Sequence, residues 1–256
     1  MTTYRVLSFD LDGTLVRTAD EIAEAANRTL AEFGLPQQRP EQIARLIGAG
    51  ARELMLRLLS EVPLQQRPRA GQSPVQQVLD CFDRHYAATA GTTAEPYPGC
   101  TEALRRLKRA GVRLACVTNK EQRHARRVLQ ATGLDELFDL LVAGDTLAYK
   151  KPHRSVLEHV LGVLDGQPAG TAHVGDSRID VQAARNAGVA AWAVPYGYNA
   201  GEPIEAARPD RIFRDLHEVA EHVLAADAAL LPPAALAGGV VASIDAAPLR
   251  ASGLAG

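Results

Sequence analysis

The segment Asp10-Leu11-Asp12-Gly13-Thr14-Leu15 follows a short apolar run at residues 5–9, and the interpretation of the whole chain starts from it. An apolar run without alternation is typical of a strand covered on both faces, as in a parallel sheet. Ligands of such sheets gather beyond the carboxyl ends of the strands, where Asp10 and Asp12 stand. Two carboxylates this close repel each other unless a cation lies near, and Mg²⁺ prefers oxygen ligands. The segment therefore predicts a cation site, although Asp and Gly are also common in plain turns.

Further along the chain, apolar runs alternate with helical patterns. The runs lie at residues 112–117, 140–143, 171–174 and 190–194, and the helical patterns at residues 101–110, 121–132, 153–161 and 179–187. A glycine follows each helical pattern, where a C-terminal cap is expected: Gly111, Gly133, Gly162 and Gly188. Repeated strand–helix units predict an α/β fold, a doubly wound parallel sheet with a Rossmann-like core.

The stretch between the first strand and residue 112 breaks this alternation. Thr18 and Glu21 form a capping-box pattern, and helical patterns follow, with later ones at residues 51–60 and 75–90. This pattern predicts a small helical cap domain inserted after the first strand, joined to the core by two linkers that permit a hinge. We assign residues 1–16 and 95–225 to the core, 17–94 to the cap and 226–256 to a poorly ordered, alanine-rich tail.

Bulk composition excludes several classes of protein. The 256 residues are 46% hydrophobic and carry a formal net charge of −2, so we expect no nucleic-acid partner. Arginine clusters at residues 105–109 and 123–127 fall on helical patterns and fit solvated helix faces. The three cysteines indicate reduced intracellular thiols. Without a signal-peptide layout or a membrane-spanning apolar stretch, we expect a cytoplasmic protein with no membrane partner.

Polar residues also follow the second, third and fourth predicted strands. They are Thr118-Asn119-Lys120, then Lys150-Lys151-Pro152, then Gly175-Asp176-Ser177 with Asp180 one helical turn later. The first group offers donors for phosphate oxygens, and a lysine in the second could neutralise both phosphate and carboxylate. Ordinary helix caps and a solvated lysine pair remain alternatives for these groups. With Asp10 and Asp12 at a neighbouring strand end, metal ligation is favoured for Asp176.

Taken together, these four motifs resemble the haloacid dehalogenase-like hydrolase superfamily, in its phosphatase branch. The resemblance spans residues 4–223 and aligns with the family's four motifs Asp10–Thr14, Thr118 with Asn119, Lys151, and Asp176 with Asp180. Lys151 is chosen over Lys150 because the family's lysine directly precedes the proline.

The resemblance implies a role for each of these residues. Asp10 is the nucleophile that forms an aspartyl phosphate, and Asp12 is the acid and base. Mg²⁺ is held by Asp10, the backbone carbonyl of Asp12, and Asp176, with Asp180 orienting that shell. The implied substrate-binding residues are Thr118, Asn119 and Lys151, which stabilise the phosphate oxygens.

A segment beyond the last core strand indicates which group of phosphatases the chain resembles. Val194-Pro195-Tyr196-Gly197-Tyr198-Asn199 is similar to phosphoglycolate phosphatases, although Tyr196 and Tyr198 could simply pack the sheet edge. The resemblance implies a phosphoric monoester hydrolase of carbohydrate metabolism. Its partner is a small phosphorylated metabolite, the substrate 2-phosphoglycolate. We expect Gly48–Gly50 to reach over the site, and Arg17 or Arg52 to contact the substrate carboxylate. At Arg17 and Thr18 the sequence departs from the family, which usually has an acidic residue and then serine.

Other functions remain open from the sequence. The chain could be a β-phosphoglucomutase-like sugar phosphomutase, a phosphatase for another small metabolite, or a non-catalytic ligand-binding regulator. Dehalogenation is disfavoured because Asp12 would be superfluous with a halide leaving group. The sequence does not distinguish a monomer from a homo-oligomer.

Overall fold

The computed structural model of the protein describes residues 3–61 and 74–228. Its strands are β1 (Val6–Phe9), β2 (Val16–Arg17), β3 (Glu95–Pro96), β4 (Arg113–Val117), β5 (Leu140–Val142), β6 (Thr171–Gly175), β7 (Ala190–Ala193) and β8 (Arg211–Ile212). Its helices are α1 (Ala19–Glu32), α2 (Pro40–Ala44), α3 (Ala51–Glu61), α4 (Pro74–Thr89), α5 (Cys100–Arg109), α6 (Gln122–Ala131), α7 (Ser155–Val163), α8 (Arg178–Ala187) and α9 (Leu216–Ala228). Within these described ranges, no helix is both long and apolar enough to cross a bilayer.

The main sheet has the strand order β5-β4-β1-β6-β7-β8, and every pair of neighbours in it is parallel. All four residues of β1 are buried because helices cover both faces of the sheet. Leu7 and Phe9 pack into one apolar cluster with α5 and α9, whereas Val6 packs into a second cluster with α7 and α8. The predicted doubly wound α/β fold is confirmed, and the apolar runs are continuous because both faces are buried.

Helix α5 shows why the arginine clusters lie where they do. Its buried residues follow helical spacing, at Cys100, Ala103, Leu104 and Leu107. The basic side chains Arg105, Lys108 and Arg109 occupy the opposite, exposed face. In α6 the arginines at positions 123, 126 and 127 are likewise exposed. Both clusters are solvated helix faces, as the composition indicated.

Four helices, α1 to α4, lie between β2 and β3 along the chain, which is where the cap is predicted. The two linkers are not simply extended, however, because β2 and β3 form an antiparallel pair, with Val16 opposite Pro96 and Arg17 opposite Glu95. Strands of two residues are too short to show a pattern in the sequence. For that reason the sequence analysis did not predict β2, β3 or β8. The division at residues 17 and 94 stays a prediction, and the predicted tail lies outside the described residues from residue 229 onward.

Three local expectations at helix ends are wrong. Thr18 precedes α1 but makes no side-chain cap, because its hydroxyl donates to Asp12 Oδ1 at 2.6 Å instead. Gly162 does not follow a helix, since α7 continues to Val163. The glycines expected after the other helices do have positive φ, at Gly111, Gly133 and Gly188. The helical pattern at residues 153–161 begins too early, because α7 begins only at Ser155.

Candidate active site

Asp10 and Asp12 occupy the turn that follows β1. The N–H of Asp10 still bonds to Val174 O of β6 at 2.9 Å, so Asp10 is fixed at the carboxyl edge of the sheet. The chain then folds back, with the N–H of Gly13 donating to Val16 O at 3.0 Å. Gly13 has φ of +87°, a conformation that side chains other than glycine rarely adopt. This tight turn holds both carboxylates toward one side of the sheet edge.

Asp10 meets two further carboxylates, Asp176 and Asp180, which come from the end of β6 and the first turn of α8. One oxygen from each of the three lies within 4.8 Å of the others, and all three residues are buried. Burial raises the pKa of Asp10 to about 7, against the attraction of Lys151 and with the support of the neighbouring Asp180 and Asp12. Burial, Asp180 and Asp10 together raise the pKa of Asp176 well above its usual value. The protein alone therefore leaves this cluster short of positive charge.

Lys151 is the ammonium placed against the cluster. Its side chain is 1% exposed, and its Nζ lies 2.8 Å from Asp10 Oδ1 and 2.7 Å from Asp180 Oδ1. Burial alone lowers the pKa of Lys151, but these two carboxylates outweigh burial and raise it. The third N–H of the ammonium donates to Val117 O at 2.7 Å, so all three of its donors are used by the protein. Lys150 is exposed and instead donates to Ala49 O.

The residues present fit a hard divalent cation. Three buried carboxylates face one ammonium, and their donor atoms are all oxygens, which is the ligand set that such cations take. Both oxygens of Asp180 are already bonded, Oδ1 to Lys151 and Oδ2 to Ser177. Burial would raise the pKa of Asp180, but Lys151 and His173 lower it, so Asp180 stays ionised behind the cluster. The charge of Asp180 is thus matched by Lys151 and His173, which leaves Asp10 and Asp176 as the carboxylates that could hold an ion.

Asp176 is held from two sides. Its Oδ1 accepts a hydrogen bond from Thr14 Oγ1 at 2.8 Å, and its Oδ2 accepts one from the N–H of Tyr198 at 2.5 Å. A Cβ on Gly13 would lie 2.4 Å from Asp176 Oδ2, and a Cβ on Gly197 would lie 2.1 Å from it. Glycine at both positions lets the chain close around this carboxylate.

Thr118 and Asn119 follow β4 and line the same cavity as Asp10. Thr118 Oγ1 accepts from the N–H of Lys120 at 3.2 Å, which leaves its own hydroxyl hydrogen for a ligand. Asn119 Nδ2 bridges two loops, donating to Gly48 O and Lys151 O at 3.0 Å each. Its Oδ1 is buried without a hydrogen-bond partner among residues 3–61 and 74–228. Asn119 therefore joins the predicted glycine turn to the motif lysine.

Asp12 lies beside Lys120 and Thr18. Its Oδ1 accepts from Thr18 Oγ1 and from Lys120 Nζ, each at 2.6 Å. Lys120 also donates to the Tyr86 hydroxyl, and that hydroxyl donates to Glu21 Oε1 at 3.3 Å. One network thus connects Asp12 to the inserted helices α1 and α4.

A small cavity lies between the sheet edge and these helices. Its polar side holds the strand-end residues Asp10, Asp12, Thr118, Asn119 and Lys120, and its other wall is largely apolar, with Ile22, Ile47, Leu54 and Phe82. The turn at Gly48 and Gly50 lines it, as expected. A polar end and an apolar wall of this kind are typical of a site for a small ligand that carries a charged group.

The structure corrects the expectation for the two arginines. Arg17 is exposed and pairs with Glu95 Oε2 at 2.5 Å, and Arg52 is exposed and lines a neighbouring groove instead of the cavity. The tyrosines after β7 do not simply pack a sheet edge: Tyr196 donates to Thr14 O at 2.9 Å, and Tyr198 accepts from the N–H groups of Thr18 and Ala19. Sequence reasoning also missed the ammonium of Lys120 and the hydroxyl of Tyr86. Tyr86 could have been singled out because it is a tyrosine on the apolar face of a predicted cap helix.

Comparison with known proteins agrees with this geometry. The family model for haloacid dehalogenase-like hydrolases matches residues 7–194, which is more than half of the chain, so the chain belongs to that family. It is similar to a phosphoglycolate phosphatase of Haemophilus influenzae, with 37% identity over 218 residues that cover 85% of this chain and 97% of the relative.

Two solved structures extend the comparison. A protein of Haemophilus somnus described as a predicted phosphoglycolate phosphatase superposes with a TM-score of 0.82 at 33% identity, covering 87% of this chain and 99% of that one. A mutant of CbbY from Rhodobacter sphaeroides, solved with xylulose-1,5-bisphosphate, superposes with a TM-score of 0.71 at 27% identity, covering 85% and 96%. The predicted family and enzyme class, a phosphoric monoester hydrolase, are confirmed.

Proposed function

We propose that the protein hydrolyses 2-phosphoglycolate to glycolate and phosphate, with Mg²⁺ as its metal and Asp10 as its nucleophile. The observation that carries the proposal is the small cavity in which Asp10 and Asp12 lie together beneath the inserted helices. The similarity to phosphoglycolate phosphatases over most of the chain supports the choice of ester. As part of this proposal the reaction belongs to carbohydrate metabolism in the cytoplasm, which fits three free buried cysteines.

In the first half-reaction, a carboxylate oxygen of Asp10 attacks phosphorus and the bond from phosphorus to the ester oxygen breaks. Asp12 gives its proton to the departing glycolate oxygen, so no free alkoxide leaves. Lys151 lies 2.8 Å from Asp10 Oδ1 and offsets negative charge beside the nucleophile. In the second half-reaction, water attacks phosphorus while Asp12 takes its proton, and the bond from phosphorus to the Asp10 oxygen breaks. Phosphate is released and both carboxyl groups are restored.

The phosphate oxygens are received by the loop after β4. The Thr118 hydroxyl, together with the backbone N–H of Asn119, provides donors that do not have to reorganise during the reaction. Asp10, the backbone carbonyl of Asp12, and Asp176 would hold the magnesium ion, which would supply positive charge against the transferring phosphate. Asp180 and His173 lie behind these groups, with Asp180 holding Lys151 in place at 2.7 Å.

A substrate panel tests this proposal. Phosphate release from 2-phosphoglycolate, xylulose-1,5-bisphosphate, glucose 6-phosphate and p-nitrophenyl phosphate is measured with Mg²⁺ and with excess EDTA. We expect 2-phosphoglycolate to have the highest kcat/KM and EDTA to abolish turnover. A sugar phosphate favoured by about tenfold, or roughly 1.4 kcal/mol, would refute the substrate assignment and leave the phosphatase class intact. Isomerisation of a sugar phosphate without phosphate release would identify a mutase.

Two variants test the division of labour between the aspartates. Asp10→Asn should form no acid-stable phosphoenzyme in a quenched reaction, because the nucleophile is gone. Asp12→Asn should slow both half-reactions by roughly 10²–10⁴-fold yet still accumulate phosphoenzyme from p-nitrophenyl phosphate, whose leaving group needs little protonation. Phosphoenzyme in Asp10→Asn at the wild-type level would place the nucleophile elsewhere.

A further inference from the structure

Lys120 presents a buried ammonium to the cavity. Its side chain is 3% exposed, and its Nζ donates to Asp12 Oδ1 at 2.6 Å and to the Tyr86 hydroxyl. Among the described residues that line the cavity, Lys120 is the basic one, since Arg17 and Arg52 lie outside it. A cation kept in a largely apolar space, beyond the reach of solvent, is costly unless anions meet it there.

The donors of Lys120 are not exhausted. Lys151 uses all three of its N–H groups on Asp10, Asp180 and Val117 O, whereas Lys120 has two hydrogen-bond partners, Asp12 and Tyr86, among residues 3–61 and 74–228. An ammonium has three donors, so one donor of Lys120 remains for a ligand in the cavity.

We infer that Lys120 is the specificity residue that binds the carboxylate of the substrate, an inference that rests on the function proposed above. Asp12 protonates the ester oxygen, and Lys120 lies within hydrogen-bonding distance of Asp12. The carboxyl carbon of 2-phosphoglycolate is two bonds from that ester oxygen. The carboxylate therefore comes within reach of the Lys120 ammonium when the ester oxygen meets Asp12.

The cavity wall restricts which anions can use this cation. Beyond Lys120 the inserted helices present Ile22, Leu54 and Phe82, which have no charge to offer a second anionic group further along a longer substrate. The recognised class is thus a phosphate ester whose carboxylate stands one carbon from the ester oxygen. A sugar bisphosphate carries its second anion several bonds farther away.

Tyr86 is a positioning residue for the same contact. Its hydroxyl accepts from Lys120 and donates to Glu21, and the ammonium lies 4.9 Å from the centre of its ring. Tyr86 belongs to α4, so the ammonium is aimed only when the inserted helices lie against the loop after β4. Substrate selection and enclosure of the cavity depend on the same side chain.

The test compares 2-phosphoglycolate with its amide, a neutral ester of nearly the same size. In Lys120→Met the kcat/KM for the acid should fall by roughly 10- to 100-fold more than the kcat/KM for the amide, as expected for a lost charge-assisted hydrogen bond. The loss common to both substrates measures how far Lys120 also positions Asp12. Lys120→Arg, which keeps the charge, should retain a preference for the acid.

The matched control is Lys108→Met, the same change at an exposed lysine of α5 whose Nζ donates to Glu136 O at 2.6 Å. It should leave the acid-to-amide ratio at the wild-type value. Equal losses on acid and amide in Lys120→Met would overturn the inference. If Lys120→Met fails to fold, Lys120→Gln gives the same comparison. A wild-type enzyme that does not turn over 2-phosphoglycolate would instead refute the proposed function, and that result is obtained before any variant is made.

Discussion

Asp176 is enclosed more tightly than any sequence motif indicates. Thr14 and the N–H of Tyr198 bind its two oxygens, and the backbone of Gly13 approaches so closely that a Cβ there would lie 2.4 Å from Oδ2. The glycine in the Asp-Leu-Asp-Gly-Thr motif therefore serves two purposes: it turns the chain at positive φ, and it leaves space for the carboxylate of a different strand.

These two purposes can be separated by mutation. Gly13→Ala should cost about 1–2 kcal/mol of stability from the left-handed backbone alone, and it should also weaken magnesium affinity because Asp176 must move. Gly111→Ala is the matched control, since Gly111 has φ of +81° and nothing within 4 Å of its Cβ position. The measurements are thermal unfolding and the Mg²⁺ concentration for half-maximal rate. An unchanged Mg²⁺ requirement in Gly13→Ala would contradict this account.

At the residue scale, the residues at the strand ends could be predicted from the sequence, whereas the side chains that bond to them could not. Asp10, Asp176 and Lys151 follow different strands of one parallel sheet, and such strand ends meet by topology alone. Lys120 and Tyr86 meet only because an inserted helix packs against the loop after β4. Hydrophobic periodicity predicts a helix but not the loop against which it packs. Thr18 has the right spacing for a helix cap, yet its hydroxyl donates to Asp12 Oδ1 instead of to the backbone of α1.

At the scale of elements, helix α1 is attached to the core through Tyr198. The Tyr198 hydroxyl accepts from the N–H of Thr18 at 3.0 Å and from the N–H of Ala19 at 3.2 Å, two groups at a helix start that have no partner within the helix. The same residue bonds Asp176 through its own N–H. One tyrosine thus connects the acidic cluster to the first inserted helix.

Tyr198→Phe removes only the hydroxyl. We expect it to lower stability by about 0.5–1.5 kcal/mol, which corresponds to a fall of roughly 2–4 °C in Tm per kcal/mol for a chain of this size. Because α1 also carries Ile22 of the cavity wall, KM should rise more than kcat falls. Tyr149→Phe, at an exposed tyrosine of 60% relative accessibility, is the control that should behave as wild type. A wild-type Tm for Tyr198→Phe would show that the hydroxyl does not anchor α1.

Elements were predicted to the extent that their patterns are long. The five long strands of the sheet and the helices between them follow from apolar runs and glycine stops, whereas β2, β3 and β8 have two residues each and no pattern. Gly162 was mistaken for a cap because a glycine inside a helix and one after it look alike in sequence, and only φ distinguishes them.

At the scale of the whole molecule, the acidic cluster makes stability depend on pH. The pKa of Asp10 is raised to about 7, and the pKa of Asp176 is also raised. In the unfolded chain an aspartate has a pKa of about 3.9. The folded, metal-free protein therefore binds protons that the unfolded chain releases. The free energy of unfolding therefore falls as pH rises through this window. Asp180, whose pKa is lowered, contributes in the opposite sense, but its stabilisation changes only below the usual aspartate range.

A cation that replaces those protons should reverse the trend. In EDTA we expect a lower Tm at about pH 8 than at about pH 5.5, and added Mg²⁺ should raise the Tm more at the higher pH. Thermal unfolding under the four conditions checks this without any assay of activity. Asp176→Asn, which removes one carboxylate, should flatten both dependences. A larger effect of Mg²⁺ at the lower pH would mean that the ion binds elsewhere.

The short ribbon of β2 and β3 has an evolutionary consequence. Because Val16 pairs with Pro96 and Arg17 with Glu95, the chain leaves the sheet edge and returns to it at adjacent positions. The sheet therefore tolerates an insert of almost any length there, since the entropy of closing a loop grows only slowly with its length. The inserted helices can therefore change in length and sequence while the residues at the strand ends keep their positions in the sheet.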